Sequence, residues 1–222
     1  MSISDNLKGI KENIPDQVAL VAVSKFHPCE KIMEAYNCGQ RIFGENRVQE
    51  MVTKHEQLPE DIEWHLIGHL QKNKVKYISS FVSMIHSIDS LDLLQQVDRH
   101  ARSDNRVIDC LLQFHVAEEE TKFGLFPEEG DALLSSDGYR SMENIRIRGI
   151  MGMATHTDDE KRIREDFRKL KNIFNELKEK YFMSADSFNI LSMGMSGDYK
   201  TAIEEGSNMI RVGTSIFGQR EY

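Results

Sequence analysis

The residues best suited to chemistry in this 222-residue chain fall into three groups. The first is a single amine. Lys25 ends the stretch "VALVAVSK" (18–25), an apolar run broken only by Ser24. A charged amine beside buried apolar surface is costly. Lys25 therefore either marks where a strand reaches solvent, its stem lying along the surface, or is placed there to react. By the period-two rule Val21, Val23 and Lys25 share one strand face, and Ala22 and Ser24 the other. Burial lowers a lysine pKa, and a neutral amine attacks an aldehyde readily. The second group is a pair of glycine- and hydroxyl-rich turns, "NILSMGMSGDYKTAIEEG" (189–206) and "RVGTSIFG" (211–218). Ser192, Gly194, Ser196 and Gly197 lie between an apolar run and a helical pattern, and Gly213 and Thr214 offer further donors. Such turns either cap helices in the ordinary way or cradle a phosphate with unpaired N–H groups. The third group is Arg211, a permanent cation that donates hydrogen bonds but cannot hand over a proton. It either faces a ring nitrogen of a bound heterocycle or pairs with an interior carboxylate such as Glu45.

An amine opposite a phosphate cradle suits two chemistries. One is a Schiff-base aldolase acting on a phosphorylated sugar; the other is covalently held pyridoxal phosphate. In the second case, a ring facing arginine is a poorer electron sink than one facing a carboxylate. Other candidates are weaker. His65 and His69 in "WHLIGH" lie four apart on a strand-like run, about 13 Å by strand rise, too far to share one ion, and no metal is expected. Cys29 lies near Lys25 in sequence without a base beside it. The three cysteines are odd in number and lack metal-type spacing, which fits reduced thiols in a cytoplasm.

These groups converge only if the fold brings them together. Strand-like runs ("QVALVAVS", "QRIFG", "EWHLIGH", "FVSMIHSI", "VIDCLLQFHV", "IRIRGIMGMAT", "SFNILSMG", "NMIRVGT") alternate with helical patterns along the whole chain. Several runs are continuously apolar, as strands buried on both faces of a parallel sheet are. Eight strands separated by helices predict an α/β fold, a (β/α)₈ barrel with an extra N-terminal helix, as a single domain over 1–222. A doubly wound open sheet is the alternative. In the barrel, the C-terminal strand ends form the active face. That face would carry Lys25, Glu45, Asn46, His69, His86, Ser87, His115, Met153 to His156, Ser192 to Asp198, and Arg211 to Thr214. The longest helix is predicted over 158–182, with Ile163, Phe167, Leu170, Ile173, Phe174 and Leu177 on its apolar stripe. Thr157 or Asp158 would cap it, and its charged remainder would be a solvated face.

A formal charge of -8 argues against nucleic-acid binding. No apolar run is long enough to cross a membrane, and the N-terminal stretch lacks the apolar core of a signal peptide.

Taken together, "VAVSK", "IFGENRVQE", "WHLIGHLQKNK", "IHSIDS", "LSMGMSGDYKTAIEEGSNMIRVGTSIFG" and the ending "REY" resemble the pyridoxal phosphate homeostasis protein family, in order from about residue 15 to Tyr222. The resemblance implies a barrel like the N-terminal domain of alanine racemase, in the fold-type III class of pyridoxal phosphate proteins. It implies that Lys25 forms a Schiff base with the cofactor and that Asn46 lies close to its ring. Ser192, Gly194, Met195, Ser196, Gly213 and Thr214 would hold its phosphate, and Arg211 would face the pyridine nitrogen. The implied role is binding, buffering and delivery of pyridoxal phosphate, with apo-enzymes that use this cofactor as partners. Robust turnover is not expected, because the second domain that supplies an opposing base in alanine racemase is expected to be missing. A racemase or lyase using the same cofactor is the alternative. A monomer in the cytoplasm is expected. Two departures concern the rim: His69 stands where many relatives carry proline, and the stretch "HVAEEETKFG" is unusually acidic.

Overall fold

A computed structural model describes residues 2–119 and 122–219. Eight parallel strands close into a barrel in chain order: β1 (Ala19–Val23), β2 (Ile42–Glu45), β3 (Glu63–Leu66), β4 (Met84–Ile88), β5 (Ile108–Gln113), β6 (Ile145–Met151), β7 (Ile190–Ser192) and β8 (Met209–Val212). The helices are α1 (Ile3–Glu12), α2 (Cys29–Asn37), α3 (Val48–His55), α4 (Leu91–Ser103), α5 (Pro127–Ser135), α6 (Asp137–Arg140), α7 (Glu160–Tyr181), α8 (Tyr199–Glu204) and α9 (Thr214–Phe217). The open-sheet alternative fails at one pairing: β1 and β8 run side by side, with Val21 opposite Arg211 and Ala22 opposite Val212.

Period-two alternation sorts each strand into two cores. Leu20, Ala22, Phe43, Leu66, Ile85, Leu112, Ile150, Leu191 and Ile210 point outward and join the helices in one large apolar cluster. Each buried Leu, Ile or Phe there contributes roughly 1.5–3 kcal/mol, so this outer shell carries most of the fold. Val21, Met84, Leu111, Met151, Ile190 and Met209 form a second, smaller cluster. These six come from strands all round the barrel, so they fill its interior, and the layer nearer the strand C-termini is left to polar residues. The expected N-terminal helix is present. Ser2 and Asp5 cap α1 reciprocally, and Ile3, Leu7 and Ile10 bury its inner face.

Three details differ from the sequence expectations. The helical pattern after β3 is a 3-10 helix (Lys72–Tyr77). Helix α7 is capped by Asp159, whose side chain accepts from the Lys161 N–H at 3.0 Å, while Thr157 accepts from the Asp159 N–H. The charged side of α7 is not wholly solvated. Asp166 is fully buried and accepts from both the N–H and the hydroxyl of Thr155, with Arg162 also beside it. A carboxylate at helical spacing with the apolar stripe, three residues after Ile163 and four before Leu170, is thus recruited to hold the loop after β6.

Candidate functional site at the barrel mouth

Lys25 lies two residues beyond the end of β1, half-buried, in a turn held on both sides. Before it, the Ser24 N–H donates to the Gly44 carbonyl and the Ser24 hydroxyl donates to Glu45 Oε1 at 2.6 Å. After it, Phe26 adopts φ +67°, a left-handed conformation that costs a non-glycine residue about 1–2 kcal/mol. The Phe26 N–H donates to Glu50 Oε1 at 2.6 Å. The His27 ring stacks on Phe217 with centroids 5.0 Å apart. Lys54, buried on α3, donates to the Ser24 carbonyl at 2.8 Å, to Glu45 Oε1 at 2.7 Å and to Glu50 Oε1 at 2.7 Å. Glu45 therefore does not open into the mouth as expected, nor does it pair with Arg211. It faces α3 behind the Lys25 turn, and burial pushes its carboxyl up to about 7 despite the Lys54 ammonium.

Inside the barrel, below the mouth, four polar side chains form one hydrogen-bonded chain. Arg211 donates to Ser192 Oγ at 2.7 Å and to the Gly152 carbonyl at 3.0 Å. Ser192 Oγ lies 3.3 Å from His86 Nδ1, and His86 Nε2 lies 3.0 Å from His65 Nδ1. The link from β7 to β4 joins strands on opposite sides of the barrel, so it crosses the interior. Arginine has only donors, so Ser192 Oγ accepts from Arg211, and its own proton is free to point at His86. The proton run that uses each group once has Ser192 donating to His86 Nδ1 and His86 Nε2 donating to His65 Nδ1; the opposite run, from His65 to His86 to Ser192, uses the same contacts. Either run is made by two neutral imidazoles, and burial acts in that sense. It lowers His65 to about 4 and His86 well below its ordinary value. Burial also lowers Arg211, to about 10, a value at which it stays charged near neutrality. Among the described residues no carboxylate forms an ion pair with it; Asp198, half-buried after β7, is the acid that acts on it through space.

This neutrality has a measurable consequence. Unfolded histidine titrates near 6.5, whereas folded His65 stays neutral down to about 4. Between those values the unfolded state binds more protons, so stability falls as pH drops through that window, by about 3 kcal/mol for His65 alone. A His65→Gln variant is expected to lose that part of the acid slope in urea titrations run between pH 4 and 7. An unchanged slope would show that His65 is charged in the fold.

The turns after β7 and β8 meet beside the Lys25 turn. Gly194 has φ +98°, and a Cβ there would lie 2.7 Å from the Ala202 Cβ and 2.9 Å from the Tyr199 Cα, so only glycine brings α8 this close. The Gly213 N–H donates to Ser196 Oγ at 3.2 Å, and the Ser215 N–H points at the same oxygen at 3.5 Å. Gly213 itself packs against Val23, with no room for a Cβ beyond 2.9 Å from the Val23 carbonyl. Thr214, exposed, opens α9. The Met195 N–H is already taken by Asp198 Oδ1 at 2.5 Å, and its side chain is exposed. On the other flank, Gly68 rests on the backbone of Asn46, its missing Cβ position 2.3 Å from the Asn46 carbonyl. Asn46 Oδ1 is buried without a hydrogen-bond partner.

The rim is tied together by side chains. His69 pairs with Asp89 at 3.2 Å and stacks on Phe123, centroids 4.0 Å apart. Gln113 holds the Phe123 carbonyl at 2.8 Å. In the acidic stretch, Glu118 pairs with Arg162 and Glu119 with Lys122; Glu120 lies outside the described residues. A cavity of about 810 Å³ near this loop is lined by His115, Lys122, Phe126 and residues of α7; of the residues expected at the mouth it includes His115 alone, and none of the proposed cofactor contacts. Sequence reasoning missed the Lys54 cluster and the role of His65 and His86. The signal for Lys54 was its place three residues after Met51, on the buried face of α3. His65 gave none, because its partners come from three other strands.

The barrel and its lysine-bearing mouth are of the alanine racemase type: the family model for the N-terminal domain of alanine racemase matches residues 1–221. The chain is 41% identical over 204 residues to the pyridoxal phosphate homeostasis protein of Aquifex aeolicus (strain VF5), covering 91% of this chain and 87% of that one. It is 39% identical over 211 residues to the protein of the same name from Schizosaccharomyces pombe (strain 972), covering 91% and 84%. Among solved structures, PipY of Synechococcus elongatus PCC7942 superimposes with TM-scores of 0.91 without PLP and 0.89 with PLP bound. It shares 36% identity and covers 98% of this chain and 100% of its own. This chain belongs to the pyridoxal phosphate homeostasis protein family. No described helix is long and apolar enough to cross a membrane.

Proposed function

We propose that this protein binds pyridoxal 5'-phosphate at the barrel mouth, attached through Lys25, and holds and delivers it to apo-enzymes as a single-domain cytoplasmic monomer spanning 1–222. The observation that carries this reading is the meeting, at one end of the barrel, of the Lys25 turn, Arg211 and the β7 and β8 turns. The residues present fit the group. Asn46 Oδ1 is an orphaned buried acceptor, and the Gly213 and Ser215 N–H groups already converge on one acceptor oxygen, Ser196 Oγ, as donors to a phosphate oxygen would. When bound, pyridoxal phosphate supplies an aldehyde for the lysine amine and an electron-withdrawing ring. Of the chain's own residues, Ser192, Gly194, Met195, Ser196, Gly213 and Thr214 would hold the phosphate, and Asn46 would lie along the ring. Arg211 would donate to the ring nitrogen without protonating it. The Arg211–Ser192–His86–His65 chain keeps that guanidinium in place. Free Cys29, Cys38 and Cys110 suit a reducing compartment. Titration with pyridoxal phosphate is expected to raise a visible absorption band that saturates at one equivalent and is weakened by inorganic phosphate. A protein that stays colourless in excess pyridoxal phosphate would refute the proposal.

A further inference from the structure

We propose that Lys54, together with Glu45 and Glu50, is a positioning residue that sets the turn from which Lys25 reaches the mouth; this rests on the reading of Lys25 as the attachment point. Lys54 is 5% exposed, on the far side of the strand ends from the barrel interior. An ammonium is expensive to bury, and replacing a buried ion pair with apolar residues of similar volume is often neutral or stabilising. Stability alone therefore does not account for a lysine here. All three of its protons are spent, on the Ser24 carbonyl, Glu45 Oε1 and Glu50 Oε1. Each partner grips a neighbour of Lys25. Ser24 precedes it and is held again through its own hydroxyl on Glu45; Glu50 accepts the N–H of Phe26, which follows it. Phe26 is one of two non-glycine residues with positive φ among those described, and such a conformation persists only where its surroundings over-determine it. The Arg47 guanidinium, 5.2 Å over the Phe26 ring, adds a further hold. The cluster thus fixes both sides of Lys25 without contributing a group to the mouth.

The covalent step itself is a condensation: the amine attacks the aldehyde carbon, a C=N bond forms, and water leaves, with no change of oxidation state. A positioning role affects that step and spares the rest of the site. The test compares pyridoxal 5'-phosphate with pyridoxine 5'-phosphate, which shares ring and phosphate but carries an alcohol in place of the aldehyde. In Lys54→Met, apparent affinity for pyridoxal phosphate and the rate of band formation are expected to fall roughly tenfold, the population shift set by one released left-handed residue. Affinity for pyridoxine phosphate is expected to stay within about twofold. Should Lys54→Met fail to fold, Glu50→Ala, at a half-buried position, removes the Phe26 anchor and is expected to show the same split at about threefold. Equal weakening of both ligands, or of neither, overturns the positioning role. A wild-type chain that binds both phosphates alike and never develops the band overturns the carrier reading, and this inference with it.

Discussion

Replacing Lys25 by alanine is expected to leave a folded barrel that no longer develops a visible band with pyridoxal phosphate. Lys25 lies outside both apolar clusters, and the Ser24 hydroxyl, the Phe26 N–H and the His27 ring hold the turn on either side of it. Neither core loses an apolar group, so the barrel is expected to stay folded. The covalent link is expected to vanish outright, because the other lysine at this turn, Lys54, faces away from the mouth with all three protons on Ser24, Glu45 and Glu50. What remains is retention through the phosphate turns alone, so the ligand should wash out on desalting, whereas the wild type keeps it. Absorption spectra before and after desalting, paired with a thermal melt, check both halves. Retention of the band in Lys25→Ala would place the attachment elsewhere.

Arg211→Met is expected to be far more damaging to the fold. The guanidinium is 4% exposed and supplies the donor at the head of the interior chain. Methionine fills much of its volume but leaves the Gly152 carbonyl without its 3.0 Å partner and Ser192 without the donor that turns its hydroxyl toward His86. An orphaned buried acceptor costs about 1–3 kcal/mol. Two such losses predict destabilisation of about 2–6 kcal/mol, offset in part by removal of a buried charge that has no direct carboxylate partner among the described residues. Urea unfolding at pH 7 measures it. Pyridoxal phosphate, if bound by the variant, is expected to bind more weakly, since the donor toward its ring nitrogen is gone. A variant as stable as the wild type would mean that the interior chain is held by its other members.

The architecture was legible because several strands are continuously apolar and each strand-like run is followed by a helical or turn signal, so eight units could be counted from "QVALVAVS" to "NMIRVGT". Lys25, Asn46, Ser192, Gly194 and Arg211 could be assigned to the mouth once the barrel was assumed, since strand ends fix which residues surface there. Side-chain direction was legible only where period two persists. It placed Val21 inside and Ala22 outside, but it could not show that Glu45 turns toward α3, because the buried lysine that draws it there lies nine residues on. The histidine chain was invisible for a related reason. His65, His86, Ser192 and Arg211 come from four strands, and their contact depends on the closure of the barrel.

The central claim is that Lys25 is the point of covalent attachment. The direct measurement is borohydride reduction of the protein mixed with one equivalent of pyridoxal phosphate, followed by proteolysis and mass mapping of the modified peptide. A single modified site is expected, on the peptide that contains Lys25. Label on another lysine, or label scattered over exposed lysines such as Lys8 and Lys72, would contradict it.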